Sequence, residues 1–461
     1  MTNLQPDQIQ GLKAGVQGSV VLPEDAAYES ARQVWNAMID KHPAAIVCCA
    51  TSADVVHAVS FARQHRLPLA VRGGGHNIAG SAVCDEGIVI DLSQMKSVHV
   101  DAGTRRASIA GGAILADFDA AAQAEGLATP LGINSTTGVA GLTLGGGFGW
   151  LSRKYGMTID NLEAAEVVTA DGEVIRASAT EHPDLFWALR GGSGNFGVVT
   201  RFDFRVHPVG PKLLSGLIVF PFSEARSVLQ QYRAFMETAP DELSVWVVTR
   251  QAPPLPFLPE NVHGREVVVL ALLYTGEPEQ GRQLIKPLFN FGTPEGTHVD
   301  VMPYVDWQKA FDPLLAPGAR NYWKSHNFSE LKDGLFDAVI DYIGTLPSGQ
   351  CEIFFAALGG ATSRPAADSA AYAHRDARFV MNVHGRWDDA ADDARCVGWA
   401  RDFFKASAPF ASGGVYVNFL TADEGDRVKA AYGQNYERLA QIKRRYDPAN
   451  LFSTNQNIQP A

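Results

Sequence analysis

The sequence predicts an α+β protein of two domains. A single domain usually has about 100 to 200 residues, and this chain has 461, of which 46% are hydrophobic and 19% charged, as in ordinary globular proteins. A strand–helix–strand unit lies near the N-terminus, whereas from about Lys212 strands alternate with amphipathic helices. We therefore expect a second domain to begin near Lys212.

The elements of the first domain are predicted from apolar periods and end signals. Residues 45–50 (AIVCCA) predict a buried strand, and Ser52 and Asp54 stand where an N-cap opens the next helix. Further elements are strands at 67–71, 87–92 and 107–110, a helix at 113–125, a hairpin at 165–177 and a helix at 184–190. A long helix is predicted near the C-terminus, from Val428 to Ile442.

Charge and composition disfavour several classes of protein. The 39 Lys and Arg against 50 Asp and Glu give a formal charge of −11, which disfavours nucleic acid as a partner. The longest apolar run, near 267–274, is far shorter than the roughly 20 residues of a membrane span, and the N-terminus lacks a secretion signal. Five cysteines without C-x-x-C spacing indicate reduced side chains. We expect a cytoplasmic protein without a membrane partner.

Three glycine clusters indicate a large organic ligand. They are Gly73–Gly75 before His76, residues 138–149 and residues 191–197. Glycine lets backbone N–H groups approach a bulky anion without an intervening β-carbon. The alternative of a nicotinamide-binding fold lacks G-x-G-x-x-G followed by a ribose-binding acid. His76 has no partners at metal-ligand spacing, so we expect no metal and favour an organic cofactor.

Several segments carry a specific resemblance. VRGGGHNIAG (71–80), GIVIDLSQMKSVHVD (87–101), GVAGLTLGGGFGWLSRKYGMTIDNL (138–162), LFWALRGGSGNFGVVT (185–200) and the tail 416–458 closely resemble the covalent flavin oxidases of the vanillyl-alcohol-oxidase superfamily. The similarity is to their berberine-bridge-enzyme-like branch, which includes hydroxynicotine and oligosaccharide oxidases. Residues 212–410 resemble it only loosely, through YWKSH (322–326) and HRDARFVMNVHGRW (374–387).

The resemblance implies a PCMH-type FAD-binding fold with an inserted substrate domain. Two α/β subdomains come from residues 1–211, an antiparallel sheet covered by helices comes from 212–410, and 411–461 return to the FAD domain. An 8α-histidyl bond from His76 to FAD is implied, and such a bond raises the potential of the flavin. The implied FAD-binding positions are Arg72, Gly73, Gly74, Gly75, His76, Asn77, Thr137, Gly138, Gly141, Gly147, Gly149, Val199, Tyr416 and Asn418.

A second covalent link to FAD is not expected. Some relatives attach the flavin also through a cysteine before the middle glycine cluster, and the matching position here is Asn134. Cys84, the nearest cysteine in sequence to His76, is interpreted as a bystander.

The catalytic base is an open question in the sequence. Relatives often use the second tyrosine of Y-x-N-Y, but here the motif is Tyr416-Val417-Asn418-Phe419, and Phe419 cannot ionise. Tyr416 stays a candidate base, and Asn418 is expected to face the flavin. An amine substrate would need no strong base in its neutral form.

Further candidates lie in the second domain. If 379–386 is a strand, Asn382, His384 and Arg386 share one face, either lining the pocket or facing solvent, and Asn382 and His384 are candidate catalytic residues. Candidate pocket walls that bind substrate, or alternatively core residues, are Trp307, Tyr322, Trp323 and His326. Lys324 is a candidate to bind or steer an acidic substrate, or alternatively an exposed lysine.

The predicted activity is an FAD-dependent oxidase acting on a small sugar, alcohol or amine. The resemblance implies that Thr137 occupies the position near the flavin where small residues of the family leave room for O₂, which favours an oxidase that releases H₂O₂. The alternatives are a dehydrogenase with another electron acceptor and a flavin-binding protein without turnover. A monomer or a homodimer is expected.

Overall fold

A computed structural model describes residues 4–461, and its first sheet delivers the loop that carries His76. The strand order of this sheet is β1-β2-β4-β3. Strand β4 is parallel to both β2 and β3, so β2 and β3, the strands of the predicted strand–helix–strand unit, do not pair with each other. Thr51 caps helix α3, and its hydroxyl accepts the N–H of Asp54. The elements are α1 Pro6–Ala14, β1 Ser19–Val21, α2 Tyr28–Ala31, β2 Ala45–Cys48, α3 Ser52–His65, β3 Leu69–Arg72 and β4 Ile88–Asp91.

The second sheet is antiparallel and has the order β5-β6-β10-β8-β9. The predicted hairpin is confirmed, since β8 and β9 pair directly. The elements are β5 Val98–Asp101, β6 Arg106–Ala110, α4 Leu115–Ala124, β7 Leu127–Ala128, α5 Val139–Leu144, α6 Ser152–Tyr155, β8 Leu162–Val168, β9 Val174–Ser178, α7 Pro183–Leu189, β10 Val198–Arg205 and β11 His207–Pro208.

The third sheet has seven antiparallel strands in the order β15-β12-β14-β13-β17-β18-β16. Helices α8, α11 and α12 cover one of its faces, and the opposite face is turned to the first two sheets. The elements are β12 Lys212–Pro221, α8 Ala225–Thr238, β13 Leu243–Gln251, β14 Glu266–Tyr274, α9 Pro278–Leu284, β15 Gly296–Pro303, α10 Tyr304–Lys309, β16 Arg320–Phe328, α11 Asp333–Ile343, β17 Glu352–Ala357, β18 Phe379–Trp387 and α12 Asp393–Ser407.

The C-terminal segment joins the core of the first domain. Val415, Leu420 and Leu439 are buried in one apolar cluster with Phe202 of β10. The long helix predicted here is wrong, because the chain forms α13 Val428–Tyr432 and α14 Tyr436–Tyr446 with a short 3₁₀ turn between them. Gly433 in that turn has φ 53°, a conformation that favours glycine. In residues 4–461 no helix is long and apolar enough to cross a membrane.

Candidate functional site

One elongated cavity lies between the first two sheets and the uncovered face of the third sheet. Its first wall consists of the loop 73–77 after β3, residues of α5 and the loop at Ser193 and Gly194, and the C-terminal residues 454–456 close one end. Its second wall is made by side chains of six strands of the third sheet. Both domains are therefore needed to enclose it.

The glycines of the first wall have two different roles. A β-carbon at Gly74 would lie 2.3 Å from the backbone nitrogen of Gly138, so the two loops meet backbone to backbone. At Gly141 and Gly194 a β-carbon would meet no protein atom within 4 Å, because these glycines border open cavity. The open space beside them fits a bulky ligand that approaches the backbone.

Gly147 and Gly149 do not line the cavity, which corrects their predicted role in binding FAD. A β-carbon at Gly147 would lie 2.2 Å from the hydroxyl oxygen of Thr158, and one at Gly149 would lie 1.9 Å from the carbonyl oxygen of Leu131. These two glycines are required by packing within the protein.

Arg72 also lies outside the cavity. Its guanidinium forms an ion pair of 2.7 Å with Asp91 and donates to the carbonyl oxygens of Ala31 and Gln33. It therefore fixes the end of β3, and its guanidinium is engaged by protein groups. By contrast, the remaining predicted FAD-binding positions border the cavity, namely Gly73, Gly74, Gly75, His76, Asn77, Thr137, Gly138, Gly141, Val199, Tyr416 and Asn418.

His76 is held in one tautomer. Asn134 Oδ1 accepts the backbone N–H of Thr136 at 3.0 Å and its hydroxyl hydrogen at 2.6 Å. The Thr136 hydroxyl oxygen, 2.8 Å from His76 Nε2, has then used its only hydrogen and must accept the Nε2–H. This leaves Nδ1 with the free lone pair. Burial lowers the pKa of His76 to about 4, so the ring is neutral at pH 7.

The cavity fits FAD by the chemistry of its lining. Glycine backbone and the open space beside Gly141 and Gly194 suit a diphosphate that is bound by N–H groups. The neutral His76 ring stacks on Trp35, with 5.2 Å between the ring centroids and an interplanar angle of 20°. A planar ring system therefore meets an aromatic surface and a nucleophilic nitrogen in the same place.

Tyr416 is buried and its oxygen is engaged by donors. It accepts the N–H of Gly147 at 3.1 Å and the Asn418 amide at 3.0 Å. Burial raises the pKa of Tyr416 to about 12, so the phenol stays protonated at neutral pH. This geometry suits a residue that orients Asn418 and the glycine loop. A base role for Tyr416 stays a prediction that pH dependence decides.

A buried polar cluster that sequence reasoning missed lies on β13, β17 and β18. Arg250 donates to Glu352 at 2.6 Å, and the other Glu352 oxygen is 3.3 Å from His384 Nδ1. His384 Nε2 donates to Asn321 Oδ1 at 3.0 Å, since the Asn321 amide nitrogen donates to the carbonyl oxygen of Ala319. Because the proton of neutral His384 is on Nε2, no proton lies between His384 Nδ1 and the Glu352 carboxylate. One proton can therefore be accepted there.

The ionisation of this pair follows from burial and from Arg250. Burial lowers the pKa of His384, and the contact with Glu352 opposes this shift. Burial, the largest effect, raises the pKa of Glu352, but Arg250 and His384 outweigh it and the pKa is lowered. Arg250 and Glu352 compensate each other's charge and His384 is neutral, while the positive charge of Arg386, on the same strand as His384, also lowers the pKa of Glu352 and of His384. A charged residue inside the apolar run EIFFAA (352–357) was the signal for Glu352.

Asn382 supplies a free donor and a free acceptor to the site, and the indole Nε1 groups of Trp246 and Trp323 are further donors without a protein partner. Asn382 lines the cavity, is 1% exposed, and neither its amide nitrogen nor its amide oxygen has a protein partner. Buried polar groups of folded proteins are nearly always paired, so this amide indicates contact with a polar group of a bound molecule. Aromatic rings surround it, including four that were not predicted, and these walls are Trp35, Trp246, Trp323, Phe354 and Phe419.

Two residues predicted to bind substrate lie on the wrong face of β16. Tyr322 bonds to Asp423 at 2.6 Å and His326 stacks on Phe404 of α12, so neither borders the cavity. Lys324 forms an ion pair of 3.1 Å with Asp423 on the same side. Only Trp323 of this strand points into the cavity, because side chains alternate between the faces of a strand.

Arg386 and Trp307 lie behind the walls. The Arg386 guanidinium is 5.4 Å from the centroid of Trp35 and donates to Ala316 and Gln350, so it supports the wall without lining the cavity. Trp307 contacts the wall residue Trp150 from outside, with 5.3 Å between the centroids. Arg386 therefore does not line the cavity, and for Trp307 the alternative of a core residue applies.

Comparison with known proteins agrees with this arrangement. Residues 43–178 match the family described as FAD binding domain, and 415–459 match the one described as berberine and berberine like. An FAD-linked oxidoreductase of Dictyostelium discoideum is 32% identical over 431 residues, covering 92% of this chain and 91% of the relative. The (R)-6-hydroxynicotine oxidase of Paenarthrobacter nicotinovorans is 31% identical, covering 96% and 97%.

Solved structures agree as well. The 6-hydroxy-D-nicotine oxidase of Arthrobacter nicotinovorans has a TM-score of 0.87 at 29% identity, covering 97% of this chain and 98% of that one. Fold, cavity and similarity together define an FAD-linked oxidoreductase with an α+β fold. The chain belongs to the berberine-bridge-enzyme-like family of the vanillyl-alcohol-oxidase superfamily.

Proposed function

We propose that the chain holds FAD by a single covalent bond at His76 and oxidises a small organic substrate at a C–H next to a hydroxyl or amine, with O₂ as electron acceptor. The observation that carries this proposal is a row of rings in one cavity. His76 stacks on Trp35, which lies 5.6 Å from Trp323, and Trp323 lies 4.9 Å from His384. The cofactor anchor and the polar groups for substrate thus share one chamber.

Bound FAD would accept the hydride from the substrate and transfer the electrons to O₂. The protein must bind and orient the substrate, exclude water and accept the substrate proton. Asn382, with a free donor and a free acceptor, binds the hydroxyl or amine of the substrate. Buried aromatic walls exclude water from the reacting carbon.

The proton acceptor in this proposal is the pair of Glu352 and His384. A proton placed between Glu352 Oε1 and His384 Nδ1 turns a contact of 3.3 Å into a charge-assisted hydrogen bond. Both groups line the cavity, and both are unprotonated in this position at neutral pH. The missing tyrosine at Phe419 is then compensated by an acceptor from the third sheet.

The lining residues of this part of the cavity include no uncompensated carboxylate, which favours a neutral substrate. Arg250 and Glu352 neutralise each other, and His384 is uncharged. A protonated amine would lose its hydration without gaining a free carboxylate. We propose that amines react in their neutral form, as alcohols do.

Anaerobic reduction of the flavin tests the proposed function. Purified protein is mixed without O₂ with a panel of benzylic alcohols, amines and sugars, and flavin absorbance is recorded. Bleaching by one class, followed on aeration by one H₂O₂ for each substrate consumed, supports an oxidase. Bleaching that artificial dyes reverse but air does not would indicate a dehydrogenase, and no bleaching by any class would refute the substrate assignment.

A further inference from the structure

The cavity face of the third sheet is divided into a polar half and an aliphatic half. One row of paired residues crosses five strands, from Asn382 through Phe354, Val248 and Val269 to Val219. All five line the same cavity. The polar groups of this wall lie at the β18 and β17 end, and the row is purely aliphatic from β13 to β12.

The aliphatic half is roofed by apolar residues of the loop after β13. Ala252 and Leu258 are buried against Val219 and Val269, and the partly exposed Leu255 packs beside them. Arg250, the nearest charge, is committed to Glu352. The three valines of this half therefore offer no hydrogen-bonding side chain to a sugar, a diphosphate or an adenine, and the unpartnered Nε1 of Trp246 lies in the next row. An apolar group is the occupant that it fits.

We propose that the substrate is an amphiphile, with a polar, ring-bearing head at Asn382 and an alkyl tail that lies along Val248, Val269 and Val219. The inference rests on the proposed function, because the head is the part that is oxidised. Neighbouring strands are about 4.8 Å apart, so the three valines span roughly 10 Å. A tail of several carbons fits this length.

A ligand series that cannot be oxidised tests the tail site without turnover. The 4-n-alkylbenzamides, from methyl to octyl, carry an amide that complements the donor and acceptor of Asn382. Their Kd for the holoenzyme is measured by titration calorimetry. Burial of each added methylene is expected to lower Kd about threefold to fourfold until the chain reaches β12, and longer chains gain nothing. A Kd independent of chain length would overturn the inference.

Variants locate the tail. Val269→Trp fills the middle of the aliphatic half and is expected to abolish the dependence of Kd on chain length. Leu255→Asp, on the loop, is expected to do the same if the first variant fails to fold. Val174→Trp is the matched control, since Val174 is 49% exposed on β9, and it should keep the wild-type dependence. A dependence that survives both cavity variants would place the tail elsewhere and overturn the proposal.

The same holoenzyme separates this inference from the proposed function. Reduction of the flavin by 4-n-alkylbenzyl alcohols reports the function, whereas the benzamides report the tail site. Alcohols that bleach the flavin with no effect of chain length on the Kd of the benzamides would refute only the tail. Benzamides that bind more tightly with length while no alcohol or amine bleaches the flavin would support the tail site and refute the proposed oxidation.

Discussion

At the scale of single residues, the structure shows what Asn134 does, although its side chain cannot form a covalent bond to a flavin. Its side-chain oxygen orients the Thr136 hydroxyl, and that hydroxyl holds His76 with Nδ1 free. In the position that is matched to a second attachment point of some relatives, this chain thus carries a residue that orients His76.

Thr136→Val tests this relay. Loss of the acceptor lets the His76 ring rotate or exchange tautomers, and a hydrogen bond of this kind stabilises by about 0.5 to 1.5 kcal/mol. The rate of covalent FAD incorporation into apoprotein is expected to fall about threefold to tenfold. Flavin fluorescence of the denatured protein band measures it. Thr238→Val, at the exposed end of α8, is the control, and an unchanged rate in Thr136→Val would exclude the relay.

The pH dependence of flavin reduction distinguishes the two candidate bases. An acceptor at Glu352 and His384, both with lowered pKa, is deprotonated at neutral pH. With an alcohol substrate, the rate constant should therefore be constant from pH 7 to about 9 and fall in acid, below the ordinary histidine value of about 6.5. A Tyr416 base with a pKa of about 12 would instead give a rate that rises about tenfold per pH unit through this range.

Thr137 is the residue for which we predict an effect on O₂. It borders the cavity beside Gly138. Thr137→Leu adds bulk in a packed wall that relaxes only partly, so reoxidation of the reduced flavin by O₂ should slow while reduction by substrate is unchanged. Stopped-flow measurement of both half-reactions checks this. Equal slowing of the two reactions would indicate general disruption of the site.

At the scale of elements, the first two glycine clusters are required for two physical reasons. Gly74 and Gly138 allow two loops to touch, whereas Gly141 on α5 leaves space for a ligand. The sequence showed that glycines were concentrated here, but it could not assign one role or the other to each residue, because the partner loop is more than 60 residues away in the chain.

Two glycine variants should therefore have opposite effects. Gly74→Ala places a β-carbon against the backbone of Gly138 and should lower the Tm of the apoprotein by several degrees. Gly141→Ala meets no protein atom and improves helix propensity, so the Tm of the apoprotein should stay or rise while FAD loading falls. Calorimetry and the flavin-to-protein absorbance ratio measure the two effects. Equal Tm losses in both variants would contradict the assignment.

The strands of the third sheet show which features of the site the alternation of side chains predicts and which it does not. The period of two correctly grouped Asn382 and His384 on one face of β18. The same period separates Trp323 from Tyr322 and His326, yet all three were predicted as pocket walls, and only Trp323 borders the cavity. Glu352 and Arg250 were missed because their meeting depends on the order β13-β17-β18, which no local pattern encodes.

At the scale of the whole molecule, the site exists only because two domains are joined firmly. Buried Arg153 of α6 donates to the carbonyl oxygens of Leu243 and Leu358 in the third sheet domain. Asn36 likewise bonds to the backbone of Asn321 at the start of β16. The N-terminal segments and the tail that border the cavity were recognisable in the sequence. The substrate wall was not, since it depends on this docking.

The measurement that tests the account most directly is a peptide map of the holoenzyme. Protein is precipitated with acid, digested, and the peptides that absorb at flavin wavelengths are identified by mass. We expect that the yellow colour stays with the protein, that a single flavopeptide contains His76, and that His76→Ala releases all FAD into the supernatant. Flavin that is freed from the wild type by acid, or that is found on a peptide without His76 or linked also to a cysteine, would contradict this expectation.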